Sequence, residues 1–141
     1  VGSVRAVLDT NVAVAALLWR GPPHVLLEKV RDGDLLLVSS ATLLAELADV
    51  LGRDKFAAVL ARTETSIEHV LREFRQLVEL IESPPLSHRI CRDADDDQLL
   101  ALAQTANVDM LVSGDNDLLQ IGAFAGIPIV TPADALMRLS P

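Results

Sequence analysis

The stretch Val4-Arg5-Ala6-Val7-Leu8-Asp9-Thr10-Asn11 decides how the 141-residue chain is read. Four of its first five residues are apolar, and the run stops on a carboxylate followed by two small polar side chains. That is the pattern of a short buried strand delivering Asp9 to its carboxyl end. In open parallel sheets the ligand crevice lies beyond those ends, where the strand order reverses, so Asp9, Thr10 and Asn11 belong at its edge. A plainer reading makes Asp9 or Thr10 the cap of the following helix.

Working outward, residues 11–19 read as a small-residue helix broken by Gly21-Pro22-Pro23, and residues 25–30 resume helically up to an Asp-Gly-Asp turn. Residues 35–38 form a second buried strand. Ser39-Ser40 caps a helix over Ala41–Leu51 that Gly52 closes. Residues 54–61 read as a short helix, and Thr65 with Glu68 as a capping box for a helix to about Gln76, followed by a strand ending before Ser83-Pro84-Pro85. The remainder reads as a helix over 95–106, a strand over 110–113, a helical turn over 118–121, a strand over Ile127–Val130 placed at an edge by Pro128, and a terminal helix over Pro132–Leu139. Alternating strands and helices predict one α/β domain, a three-layer α/β/α sandwich with a central parallel sheet of about five strands. Val1, Gly2 and Ser3 read as a cloning remnant and stay outside the fold argument.

Composition sets the bounds. Half the residues are hydrophobic, yet no apolar run approaches the about 18 residues of a membrane span. The chain opens without a signal-peptide pattern and its single cysteine, Cys91, has no internal partner for a disulfide, so the expectation is a cytoplasmic protein with no membrane contact. A net charge of −8 argues against a broadly basic nucleic-acid surface, although ten of the twelve basic residues are Arg, the side chain that forks onto phosphate. There is no G-x-x-x-x-G-K-[ST] loop and no G-x-G-x-x-G, and His24, His69 and His88 have no metal-ligand spacing.

The chemistry rests on carboxylates at four places: Asp9, Glu46, Asp96 or Asp97, and Asp115. Each has an ordinary explanation, as a helix cap, a snorkelling border residue or an acid favoured by a helix dipole. At about 100° per residue Glu46 lies beside the buried arc of Leu43, Leu47 and Val50, whereas Asp49 points to solvent. Asp115 repeats the Asp9 pattern, and Ser113 matches Thr10 as a strand-end hydroxyl. Three or four carboxylates converging on one sheet edge repel one another unless a cation joins them. An all-oxygen set suits Mg2+ or Mn2+ and argues against structural zinc. Such a centre is equipped for phosphodiester hydrolysis through a metal-activated water.

Taken together, Val7-Leu8-Asp9-Thr10-Asn11, the run from Ser39 to Glu46, Asp93-Ala94-Asp95-Asp96-Asp97 and Leu111-Val112-Ser113-Gly114-Asp115-Asn116-Asp117-Leu118 resemble the PIN domain ribonucleases. The likeness is to the branch of toxin components of bacterial toxin-antitoxin pairs. The resemblance implies a metal-dependent endoribonuclease acting on single-stranded RNA, with Asp9, Glu46, Asp96 and Asp115 as the catalytic and metal-binding acids. It gives Thr10, Asn11, Asp97, Ser113 and Asp117 supporting roles, and implies an antitoxin partner and a homodimer. PIN folds also serve RNA processing without an antitoxin.

Helix phase separates the adjacent aspartates. With Leu99, Leu100, Leu102, Ala103 and Ala106 inward, Asp96 falls on the core-facing arc and Asp97 beside Gln104 on the polar side. Two other classes fit less well. A receiver-like Mg2+-binding signalling module wants a late-strand lysine, but the only lysines are Lys29 and Lys55. A catalytically silent PIN-fold binding module would not need all four acids.

Overall fold

The computed structural model describes residues 4–140, so residues 1–3 and their reading as a remnant lie outside the described part. The chain runs β1 (Val4–Leu8), α1 (Thr10–Leu18), α2 (Pro22–Arg31), β2 (Leu35–Ser39), α3 (Ala41–Leu51), a 3-10 turn (Asp54–Phe56), α4 (Ala57–Arg62), α5 (Ile67–Leu77) and β3 (Val78–Leu80). It continues with α6 (Ala94–Ala106), β4 (Met110–Val112), α7 (Asn116–Ile121), β5 (Ala123–Phe124), β6 (Ile127–Val130) and α8 (Pro132–Leu139).

The sheet order is β3-β2-β1-β4-β6-β5. The chain builds outward from β1 through β2 to β3 on one side and through β4 to β6 on the other, all in parallel pairing. The order therefore reverses between β1 and β4, and a crevice opens beyond their carboxyl ends. Because side chains alternate along a strand, β1 sends Ala6 and Leu8 to one face and Val7 to the other. The first face packs mainly on α1, α2, α3, α5 and α8; the second packs on α6 and α7. Burying both faces explains why the strands read as continuous apolar runs.

The expected sandwich with about five strands is present, the sheet having six strands because the two-residue β5 pairs antiparallel with β6 at its edge. Two expectations need correction. Pro128 thus lies one strand in from the edge, which β5 occupies. β6 tolerates the missing N–H because its outer ladder is short, with Ile129 N–H donating to the Gly122 carbonyl at 2.9 Å.

The capping box at Thr65 does not form. α5 starts one residue later than expected, and Ser66 Oγ accepts the His69 N–H at 3.1 Å. Glu68 then falls in the second helical position, out of register for the reciprocal bond. Thr65 Oγ1 is buried with no hydrogen-bond partner among the described residues.

Ser66→Ala is expected to cost about 1 kcal/mol of stability through the lost cap. Thr65→Val, which replaces an unpartnered hydroxyl by a methyl, should be neutral or stabilising. Denaturant unfolding of both variants checks this, and a larger loss at Thr65 would restore the capping box.

Candidate active site

Asp9 is only 6% exposed and lies at the reversal point, just past the end of β1. Its two carboxylate oxygens are held differently. Oδ1 accepts the Val12 N–H at 2.8 Å, which caps α1, and Oδ2 accepts the hydroxyl of the fully buried Ser113 beyond β4. The cap and the crevice position are therefore two aspects of one side chain. Ser113 Oγ in turn accepts the Asp115 N–H at 2.9 Å, and Asp115 Oδ1 accepts the Asp117 N–H at 2.9 Å to start α7.

Glu46 is half-buried on α3 and Asp49 is exposed, as helix phase indicated. Thr10, buried at the start of α1, lies near enough to Glu46 to favour its ionised form. Asn11 is exposed and lines an open cleft of about 380 Å³ with Val12, Pro23 and Asp115.

The two adjacent aspartates separate, though not in the way helix phase suggested for both. Asp96 is half-buried and faces the other acids. Asp97, expected on the polar side, is 8% exposed. Residues 89–92 fold over this side of α6, and the Asp97 carboxylate accepts the N–H groups of Cys91 at 2.8 Å and Ile90 at 3.3 Å and Arg89 Nε at 3.0 Å. A covering strap supplies burial that the phase of an isolated helix cannot reveal.

The field at this edge is negative. Burial raises the Asp9 carboxyl above its ordinary value, with Asp115 adding to the rise, against hydrogen bonds from Ser113, Val12 and Gly114 that lower it. Burial likewise raises Glu46, with Asp95, Asp93 and Asp9 adding to it. Asp96 is pushed up to about 6, first by burial and then by Asp115, Asp93, Asp9 and Asp117. Asp93 and Asp95 therefore contribute to the site's charge. Asp97 goes the other way: burial would raise it, but the donors of Cys91, Ile90 and Arg89 hold it below the ordinary range. The Cys91 thiol is pushed up to about 12 by burial and by Asp97, so no thiolate nucleophile is available.

Among the described residues no three His, Cys, Asp or Glu side chains gather closely enough to enclose an ion. The acids line an edge rather than form a cage. This suits Mg2+, which keeps several waters and commonly takes only one or two carboxylates. The all-oxygen donors and the mutual repulsion fit a hard divalent cation.

The fold and the site define an α/β sandwich whose sheet reverses at an edge of coupled carboxylates. The chain belongs to the PIN domain family, whose model matches residues 5–117 and so spans Asp9, Glu46, Asp96 and Asp115. That membership sets aside the receiver-like alternative. The chain is 27% identical over 119 residues to the uncharacterized protein MJ1680 of Methanocaldococcus jannaschii, covering 84% of this chain and 75% of that one. Among solved structures it is similar to PAE2754 from Pyrobaculum aerophilum, with a TM-score of 0.60, 19% identity and 98% of each chain covered. It is also similar to VapBC2 from Rickettsia felis bound to a DNA fragment from their promoter, at a TM-score of 0.60 and 16% identity over 89% of this chain and 97% of that one. FitAcB from Neisseria gonorrhoeae gives a TM-score of 0.51 and 21% identity over 91% and 98%. At these identities the structural likenesses establish the fold.

Opposite pH responses should distinguish the adjacent aspartates. Asp96 has an ordinary value of 3.8 and a folded value of about 6, so its protonated form is favoured in the fold. Its contribution to metal-free stability is full below the ordinary value and is lost as pH rises through about 6. Asp97 is depressed, so its contribution is present above 3.8 and is lost as pH falls through its lower folded value. In EDTA, Asp96→Asn should therefore gain on the parent as pH rises through this window, whereas Asp97→Asn should be destabilised at neutral pH and converge with the parent in acid. Thermal unfolding against pH measures both, and parallel profiles for the two variants would contradict the assignment.

Proposed function

We propose that the protein is a metal-dependent endoribonuclease that hydrolyses phosphodiester bonds of single-stranded RNA and acts as the toxin of a toxin-antitoxin pair. The observation that carries the reading is the half-buried Asp96, pushed up to about 6 among Asp115, Asp93 and Asp9 at the reversal point. A set of acids this unfavourable in isolation is suited to a cation. Asp9, Glu46, Asp96 and Asp115 would supply the negative edge for Mg2+ or Mn2+, one or two of them binding it directly and the others through its waters. When bound, the ion would supply an acidified water and offset the charge developing on the phosphate.

The chain's own groups divide the remaining work. Ser113 and the Val12 N–H orient the Asp9 carboxylate, and Thr10 favours the ionised form of Glu46. Asn11, exposed beside Asp115, and Asp117 at the start of α7 border the path a strand would take. The Asp97 carboxylate is occupied by the strap and takes a positioning role.

The RNA substrate and the toxin role rest on family membership and on the sequence resemblance to the toxin branch. The likeness to VapBC2, solved on promoter DNA, supports a partner protein. With a net charge of −8, this chain is poorly suited to hold DNA itself, and the partner would supply that contact. A homodimer follows from the same resemblance, and no helix among the described residues is long and apolar enough to cross a membrane. A cytoplasmic setting fits the RNA substrate.

Purified protein incubated with single-stranded RNA should cleave it with Mg2+ or Mn2+ and stop in EDTA. Asp9→Asn, purified identically to control for contaminating nuclease, should be inert, and Asp96→Asn should lose at least ~100-fold, since even residues that only support metal ligands cost 10 to 100-fold. Equal cleavage by parent and Asp9→Asn would refute the assignment.

A further inference from the structure

The acidic edge poses a problem for its own substrate, because each carboxylate that favours a cation also repels a phosphate strand. Arg5 does not relieve that repulsion, being occupied with Glu79 and the Ala106 carbonyl. Arg92 differs. Its side chain is 90% exposed, and Nη2 lies 3.3 Å from Asp117 Oδ1. Asp117 donates its N–H to Asp115, which puts this guanidinium beside the candidate centre.

The backbone carrying Arg92 is held from both sides. The Asp97 carboxylate takes the N–H groups of Ile90 and Cys91, while Arg89 Nη2 donates to the carbonyls of Cys91 at 3.2 Å and Arg92 at 2.9 Å. One buried carboxylate and one guanidinium thus brace residues 89–92 against α6. The Arg92 side chain itself takes no part in this bracing. Its ion pair is too exposed to contribute much to the fold. A fixed backbone bearing a loosely paired guanidinium is a means of presenting positive charge at a set place. Arginine's planar fork matches two phosphate oxygens, a better fit than its single contact with Asp117.

We infer that Arg92 is a substrate-binding residue that leaves Asp117 for a backbone phosphate of the RNA strand, and that the Asp97–Arg89 brace positions it. The inference rests on the ribonuclease reading for the identity of the strand. Arg92 touches a phosphate rather than a base, so its contribution is independent of sequence. Asp117 competes for the same guanidinium and keeps it near the edge when no strand is bound.

The test is binding of a fluorescently labelled oligouridylate, measured by anisotropy across a salt series in the Asp9→Asn background with Mg2+ present. Adding Arg92→Ala should weaken binding about tenfold at low salt, as expected for one charge-assisted contact. It should also make the slope of log affinity against log salt shallower by about 0.7, the value for one phosphate contact on a single strand. Arg92→Lys should retain the slope and lose part of the affinity. Asp117→Asn should tighten binding, and this gain should shrink when Arg92 is already Ala. The thermal midpoint of Arg92→Ala should match that of its background. An unchanged slope and affinity in Arg92→Ala would overturn the proposal, as would absence of oligouridylate binding by the background protein. Metal-dependent cleavage by the parent alongside an unchanged slope would reject Arg92 alone, whereas absence of cleavage would reject the ribonuclease reading.

Discussion

The structure depends most on how one buried carboxylate is held. Asp9 joins three elements: it ends β1, caps α1 through the Val12 N–H, and accepts the Ser113 hydroxyl from beyond β4. A buried carboxylate with too few donors would be costly, and these bonds offset part of that cost. They do not offset all of it, since burial still raises its pKa. The remaining imbalance lies at the crevice formed by the sheet reversal, where Asp96 and Asp115 add like charge. Fold and candidate chemistry therefore share a cause: the topology that buries both faces of β1 also leaves the acid that follows it at the crevice where the strand order reverses.

Much of this was legible in the sequence because it is carried by local patterns. An apolar run ending in a carboxylate placed Asp9 and Asp115, and helix phase placed Glu46 at the border of the core. The same phase put Asp96 toward the other acids. It failed for Asp97, whose surroundings are set by residues 89–92 rather than by its own helix. Arg89 and Asp97 are eight residues apart with an irregular segment between them, and no periodicity connects them. β5 escaped notice for a related reason, since a two-residue strand has no pattern of its own. Thr65 shows the limit of motif reading: a one-residue change in helix start moves the cap to Ser66 and dissolves the box.

Charge organisation follows the same division between local and tertiary causes. Asp9, Glu46 and Asp96 are raised by burial and then by neighbouring acids, while Asp97 is lowered by donors that α6 does not supply. Asp96 and Asp97 are thus neighbours with opposite electrostatic roles. One adds to the field a cation would relieve; the other fixes the strap that borders it. The separation lets the edge stay negative while a guanidinium is presented at its rim.

The central claim is that Asp9, Glu46, Asp96 and Asp115 form one coupled site for a divalent cation. The most direct measurement is calorimetric titration of Mn2+ into the metal-free protein near pH 6, in two buffers of different ionisation enthalpy, for the parent and Asp9→Asn. Because burial and its acidic neighbours push Asp96 up to about 6, metal uptake by the parent should release protons, and Asp9→Asn should bind far more weakly. Equal affinity and equal proton release in the two proteins would contradict the account.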